Sequence, residues 1–132
     1  MSKKYDVFVS HDPPSEKWAR SFTASLEANG LSVCLGISRS VLPGEAWKEA
    51  IEKALRESEL MIVILDGRSA IRMRSWMYHD VGAALALGKK IIMITAKGFD
   101  QSSLPSFLQN KKALTKKSPK DTASELMAET VG

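Results

Sequence analysis

From residue 60 to residue 65 the chain reads Leu60-Met61-Ile62-Val63-Ile64-Leu65, six large apolar side chains without a polar interruption. A strand with one face in water alternates polar and apolar residues. A strand that is apolar at every position is buried on both faces, the condition of an inner strand in a parallel sheet. Such a sheet needs helices on both sides, and 132 residues suffice for one layered domain of this kind but not for two. The run is also far short of the roughly 20 apolar residues of a bilayer span.

The rest of the chain supplies the partners this strand demands. Tyr5 to Ser10 reads as a first strand, and Asp12 caps a helix whose first turn tolerates Pro13-Pro14. Trp18, Phe22 and Leu26 recur every four residues, and Asn29-Gly30 ends that helix. Leu31, Val33 and Leu35 form a second strand, followed by a loop from Gly36 to Gly44. Trp47, Ala50, Ile51, Ala54, Leu55 and Ser58 fall on one side of a second helix. Beyond the apolar run, Asp66-Gly67 and an Arg-rich connection lead to a helix from about Ser75 to Leu87, then to a strand from Ile91 to Thr95. Leu104 to Leu108 reads as a short helix and Ala113 to Thr115 as an edge strand. Ser118-Pro119-Lys120-Asp121 opens a final helix with capping-box spacing.

This alternation predicts an α/β fold: a flavodoxin-like, doubly wound, five-stranded parallel sheet with helices on both faces, in a single domain over 1–132 with its core at about 5–128. Open sheets of this class take ligands beyond the carboxyl ends of the strands, near the switch point. Four segments therefore matter: Ser10 to Pro14, Gly36 to Gly44, Asp66 to Ser69, and Thr95 to Gly98.

The net charge of +4 raises the question of nucleic acid. Much of the excess lies in Lys111, Lys112, Lys116, Lys117 and Lys120, with no aromatic residue among them to stack bases, so the run reads as a solvated face. Cys34 is the single cysteine and His11 and His79 the only histidines, which leaves no internal disulfide and no zinc-ligand set. Met1-Ser2-Lys3-Lys4 is not followed by an apolar signal core, and a cytoplasmic location is expected.

Neither glycine-rich phosphate cradle, G-x-G-x-x-G or G-x-x-x-x-G-K-[ST], occurs, nor does a G-x-S-x-G elbow. Ser10-His11-Asp12 is only a local run, since neighbours at a strand end point in different directions. Asp66 and Thr95, at the ends of the third and fourth strands, resemble those of response-regulator receiver domains. The acidic pair that would hold magnesium is missing, because Asp12 stands alone.

Several pieces converge on another family. Tyr5-Asp6-Val7-Phe8-Val9-Ser10-His11 comes first, then Leu42-Pro43-Gly44-Glu45-Ala46-Trp47 leading into Ile51 and Ala54-Leu55. Ser58, Ser75-Trp76 and Gly88-Lys89-Lys90-Ile91-Ile92 complete the set. In this order and spacing they resemble a Toll/interleukin-1 receptor (TIR) domain of bacterial type, from about Tyr5 to Met127. The resemblance implies a flavodoxin-like sheet, a loop after the second strand that governs assembly, and, in many members, cleavage or cyclisation of NAD in immune-type signalling.

In enzymatic members the helix after the third strand carries a tryptophan and, four residues on, a catalytic glutamate. Here Trp76 is followed by Asp80, on the same helical face but one methylene shorter than glutamate. Breaking the bond from nicotinamide to ribose expels a neutral leaving group from a cationic ring. The step needs no general acid, only negative charge near the developing oxocarbenium ion. By resemblance Asp80 is the catalytic candidate, and Trp76, His11, Ser10 and Arg39 are candidates for substrate binding. Val41, Leu42, Pro43 and Gly44 form the loop that would meet another copy or another TIR domain. NAD is then a substrate, and no permanent cofactor, metal, nucleic acid or membrane is implied. The family often places an acid soon after the second strand. Gly36-Ile37-Ser38-Arg39-Ser40 has none, so Arg39 is suited to a phosphate or to an acidic face of a neighbouring subunit.

Plainer readings stand beside these. Asp80 is equally read as a surface acid on an exposed helical face, Trp76 as core, and His11 as a neutral imidazole bonded to backbone. A non-catalytic assembly domain is the alternative to the enzyme.

Overall fold

The computed structural model describes residues 4–11, 13–36, 46–65, 75–100, 102 and 104–131, with side chains for all of these but 13, 46–48, 75–77 and 130–131. The elements are β1 (Tyr5–Ser10), a 3-10 turn (Pro13–Ser15), α1 (Glu16–Ala28), β2 (Val33–Leu35), α2 (Ala46–Arg56) and β3 (Ser58–Leu65). They continue with α3 (Ser75–Ala86), β4 (Lys90–Thr95), α4 (Ser106–Gln109), β5 (Lys112–Thr115) and α5 (Pro119–Val131).

All strand pairings are parallel, in the order β2-β1-β3-β4-β5. The chain winds from β1 outward to β2 and then crosses to β3, so its direction reverses between β1 and β3. That reversal is the switch point of the flavodoxin-like order.

The apolar run behaves as its sequence demands. In β3, Met61, Val63 and Leu65 enter one core with Phe8, Ile51, Leu55, Val81 and Leu108, while Leu60, Ile62 and Ile64 enter a second core with Phe22, Leu26 and Leu126. The period of two along a strand divides the residues this way. Helices α2, α3 and α4 therefore cover one face, and α1 and α5 the other.

Local departures from the sequence reading have physical reasons. Ser58 begins β3 rather than closing the second helix, and its hydroxyl donates to the Ala54 carbonyl at 2.6 Å, satisfying an acceptor in the last turn of α2. The double proline winds a 3-10 turn, and α1 starts only at Glu16. Asp12, read as a cap, lies outside the described residues.

Two close approaches shape the edges. The Gly36 amide donates to the Val9 carbonyl at 2.7 Å, and a Cβ at Gly36 would stand 2.9 Å from that same oxygen. Across the second face, the Trp18 indole donates to the Lys117 carbonyl at 3.0 Å and stacks on Phe22 at 5.1 Å, tying α1 to the chain entering α5. The lysine run is more engaged than its sequence suggests. Lys112 meets Glu129 at 3.1 Å, Lys117 meets Glu125 at 2.9 Å, and Lys116 lies 5.1 Å from the centre of the Trp18 ring. That ring comes from α1, a distant part of the sequence.

Candidate functional site

Phe8 in β1 faces the side covered by α2 and α3, and the two-residue period carries Ser10 to that side at the strand's carboxyl end. On α3, Val81 and Ala84 are fully buried against the sheet, and Asp80 lies one helical turn before Ala84. The two elements bring Ser10 and Asp80 together at the switch point. The Ser10 hydroxyl donates to Asp80 Oδ2 at 3.3 Å, and each residue is 1% exposed. Asp80 is thus a buried carboxyl and not a surface acid on an exposed helical face.

A carboxylate in such a place is costly unless its oxygens are engaged. Oδ2 takes the Ser10 hydroxyl, and Oδ1 lies 3.5 Å from Nδ1 of His79. The His79 ring reaches across to α2, where its Nε2 is 3.7 Å from Oε1 of Glu52, and Glu52 in turn is 3.6 Å from the Arg56 guanidinium. Ser10, Asp80, His79 and Glu52 therefore form a continuous polar line from the carboxyl end of β1, through α3, to α2. A carboxylate fixed in a low-dielectric setting can stabilise positive charge developing opposite it far better than one in water.

Ser10 and Asp80 are candidates in the sequence and meet in the structure, whereas His79 and Glu52 carry no role in the sequence. Their only local signal is that Glu52 lies one turn before Arg56 on α2. That Glu52 also meets α3 follows from the packing of the two helices.

The remaining candidates separate. His11 follows Ser10 directly, yet its ring belongs to the opposite side, 3.7 Å from Glu16 of α1, with its side chain 7% exposed. Trp76 lies on α3 one turn before Asp80, and its side chain is outside the description. Arg39, Val41, Leu42, Pro43 and Gly44, and the segment from Asp66 to Ser69, also lie outside the described residues.

Thr95 to Gly98 borders an open cleft of about 330 Å³ beyond the carboxyl ends of β4 and β5, with Asp100 and Thr115 on its walls. The Ser102 hydroxyl and amide donate to Asp100 Oδ1 at 2.6 and 2.9 Å and hold its carboxyl below the usual carboxylate range. In the sheet, β3 lies between this cleft's strands and β1. Among the described residues no group of three or more His, Cys, Asp or Glu could hold a metal ion, and no helix is long and apolar enough to cross a membrane.

Compared with known proteins, the chain matches a sequence profile described as the TIR domain over residues 7–127. Its fold superposes on a metazoan TIR-STING receptor from C. gigas, in complex with 2′,3′-cGAMP, with a TM-score of 0.75 and 18% identity. That match takes in 96% of this chain but only 39% of the receptor, so the chain spans well under half of that protein. The TIR domain of a Toll-related receptor from Hydra magnipapillata gives a TM-score of 0.61 at 22% identity, covering 85% of this chain and 84% of that one. A CMP N-glycosidase from Clostridium botulinum gives 0.65 at 18% identity, covering 93% and 98%. No curated protein sequence matches. At these identities the structural likenesses speak for the fold, and it agrees with a profile that takes in nearly the whole described chain: the protein belongs to the TIR domain family.

Proposed function

We propose that this TIR domain cleaves the N-glycosidic bond between nicotinamide and ribose in NAD, with Asp80 as the catalytic carboxylate. The observation that carries the proposal is the buried Ser10–Asp80 pair at the switch point, where open α/β sheets take their ligands. In the reaction the glycosidic bond breaks heterolytically and its electron pair leaves with nicotinamide, which departs neutral. The ribosyl C1′ takes up water to give the linear product, or an adenine ring nitrogen of the same molecule to give the cyclic one, and in either case a proton is released to solvent. Asp80 faces the developing cation, and Ser10 fixes the carboxylate that does so. NAD is a substrate, so no resident cofactor is involved. The likeness to an enzyme named as a CMP N-glycosidase supports the same bond class on this scaffold.

Assembly belongs to the proposal. The loop carrying Val41, Leu42, Pro43 and Gly44 docks on another copy or another TIR domain, Arg39 meets a phosphate of the dinucleotide or an acidic neighbour, and Trp76 is the aromatic partner of Asp80 in flanking the ligand. A cytoplasmic role in immune-type signalling follows from that reading.

The same burial favours a second reading, in which Asp80 merely ties α3 to β1 in a non-catalytic assembly domain. Incubating the concentrated protein separately with NAD and with CMP, and resolving the products by chromatography, decides between them. The proposal expects nicotinamide with linear or cyclic ADP-ribose from NAD, and no cytosine from CMP. Cytosine release alone moves the substrate to a nucleoside monophosphate, and no product from either leaves the assembly reading.

A further inference from the structure

The polar line does not stop at the serine and the aspartate. Asp80 presents its two oxygens to two different elements: Oδ2 to Ser10 on β1 and Oδ1 to His79, its own neighbour on α3. Adjacent helical residues point about 100° apart and do not ordinarily face each other, so this contact needs the imidazole to be held in place. Glu52 of α2 stands 3.7 Å from the far ring nitrogen, and Arg56, 3.6 Å from Glu52, steadies that carboxylate from the same helix. The ring is 27% exposed and Asp80 is 1% exposed, so His79 forms the boundary between solvent and the buried acid.

We propose that His79 is the positioning residue of this site: clamped by Glu52, it fixes Oδ1 of Asp80 opposite the Ser10 clamp on Oδ2 and so sets the plane of the carboxylate. The proposal rests on the reading of Asp80 given above and deepens it. Rotation of the carboxyl group about its Cβ–Cγ bond would move either oxygen by an ångström or more, enough to cost a reacting centre much of its rate. With Oδ2 hydrogen-bonded from the sheet and the His79 ring 3.5 Å from Oδ1, that rotation is opposed on both sides.

Two measurements test it. In the full chain carrying 15N-labelled histidine, Asp80→Asn should move the Nδ1 resonance of His79, and Glu52→Gln should move its Nε2 resonance. His11, which lies against Glu16, serves as the unmoved control. His79 resonances unchanged in both variants overturn the proposal. With NAD as substrate, His79→Gln should lower kcat about tenfold or more, the scale expected for a displaced reacting group. KM should stay within about twofold, as for an interaction used only in the transition state. His79→Asn, whose amide nitrogen stands near the place of Nδ1 but does not reach Glu52, should lose clearly less rate than His79→Gln. Equal losses in the two variants, or a change confined to KM, also overturn it. A parent protein that releases no nicotinamide sinks the NAD reading instead, and the ring resonances then decide by themselves whether His79 holds Asp80.

Discussion

Gly36 follows β2 at a point where two backbones come within one hydrogen bond of each other, and the space for a side chain is taken by the Val9 carbonyl. Gly36→Ala should therefore lower stability by about 1 to 3 kcal/mol, the usual cost of overpacking, seen as a lower urea midpoint with an unchanged slope. Cys34 packs against the core under α2, and burial pushes its thiol up, with repulsion from Glu57 adding to this and Lys4 partly opposing it. An acid whose pKa is higher folded than unfolded lends stability that is present below its ordinary value and lost as pH rises through the raised one. Alkylation of Cys34 at pH 8 should be slower than that of the unfolded chain, and equal rates would show the thiol to be accessible. At this scale the sequence was uneven. Alternation along β1 puts Ser10 on the face of Phe8, but Asp80 reads equally as a surface acid and as a site carboxylate, and only the packing of α3 on the sheet buries it. Their hydrogen bond spans 70 positions and is visible only once β1 and α3 pack.

Helix α5 shows how an element is set by its first turn. Ser118 Oγ accepts the Asp121 amide at 3.2 Å, and the Lys117 amide donates to Thr122 Oγ1 at 3.0 Å. Replacing Ser118 by Ala should cost about 1 kcal/mol and Ser118→Asp should restore it, measured by thermal unfolding. A loss that Asp does not recover would place the effect elsewhere. Among elements, the strands were the most legible, because an inner parallel strand must be apolar on both faces and β3 and β4 obey that rule. The junction of α2 with β3 was not. Ser58 fits the helical stripe by spacing, but its hydroxyl bonds back to Ala54 while its backbone has already joined the sheet.

For the molecule as a whole, the sheet order and the two cores follow from the pattern of apolar residues, whereas assembly and turnover rest on the family resemblance and on the buried pair. Val41-Leu42-Pro43 lies in the loop proposed for assembly. Leu42→Asp should reduce self-association in sedimentation at high concentration and lower NAD turnover with it, since a charge does not bury at an apolar contact. Identical sedimentation of the parent and Leu42→Asp would remove the loop from the interface. Whether the buried carboxylate proposed at the switch point breaks the nicotinamide bond is read from the rate of nicotinamide release from NAD by the parent, Asp80→Asn and Asp80→Glu at one high concentration. Nicotinamide release is expected from the parent, none from Asp80→Asn, and a faster rate from Asp80→Glu, which restores the longer reach of the family's glutamate. Equal release by the parent and Asp80→Asn, with both proteins folded, would contradict the role proposed for Asp80.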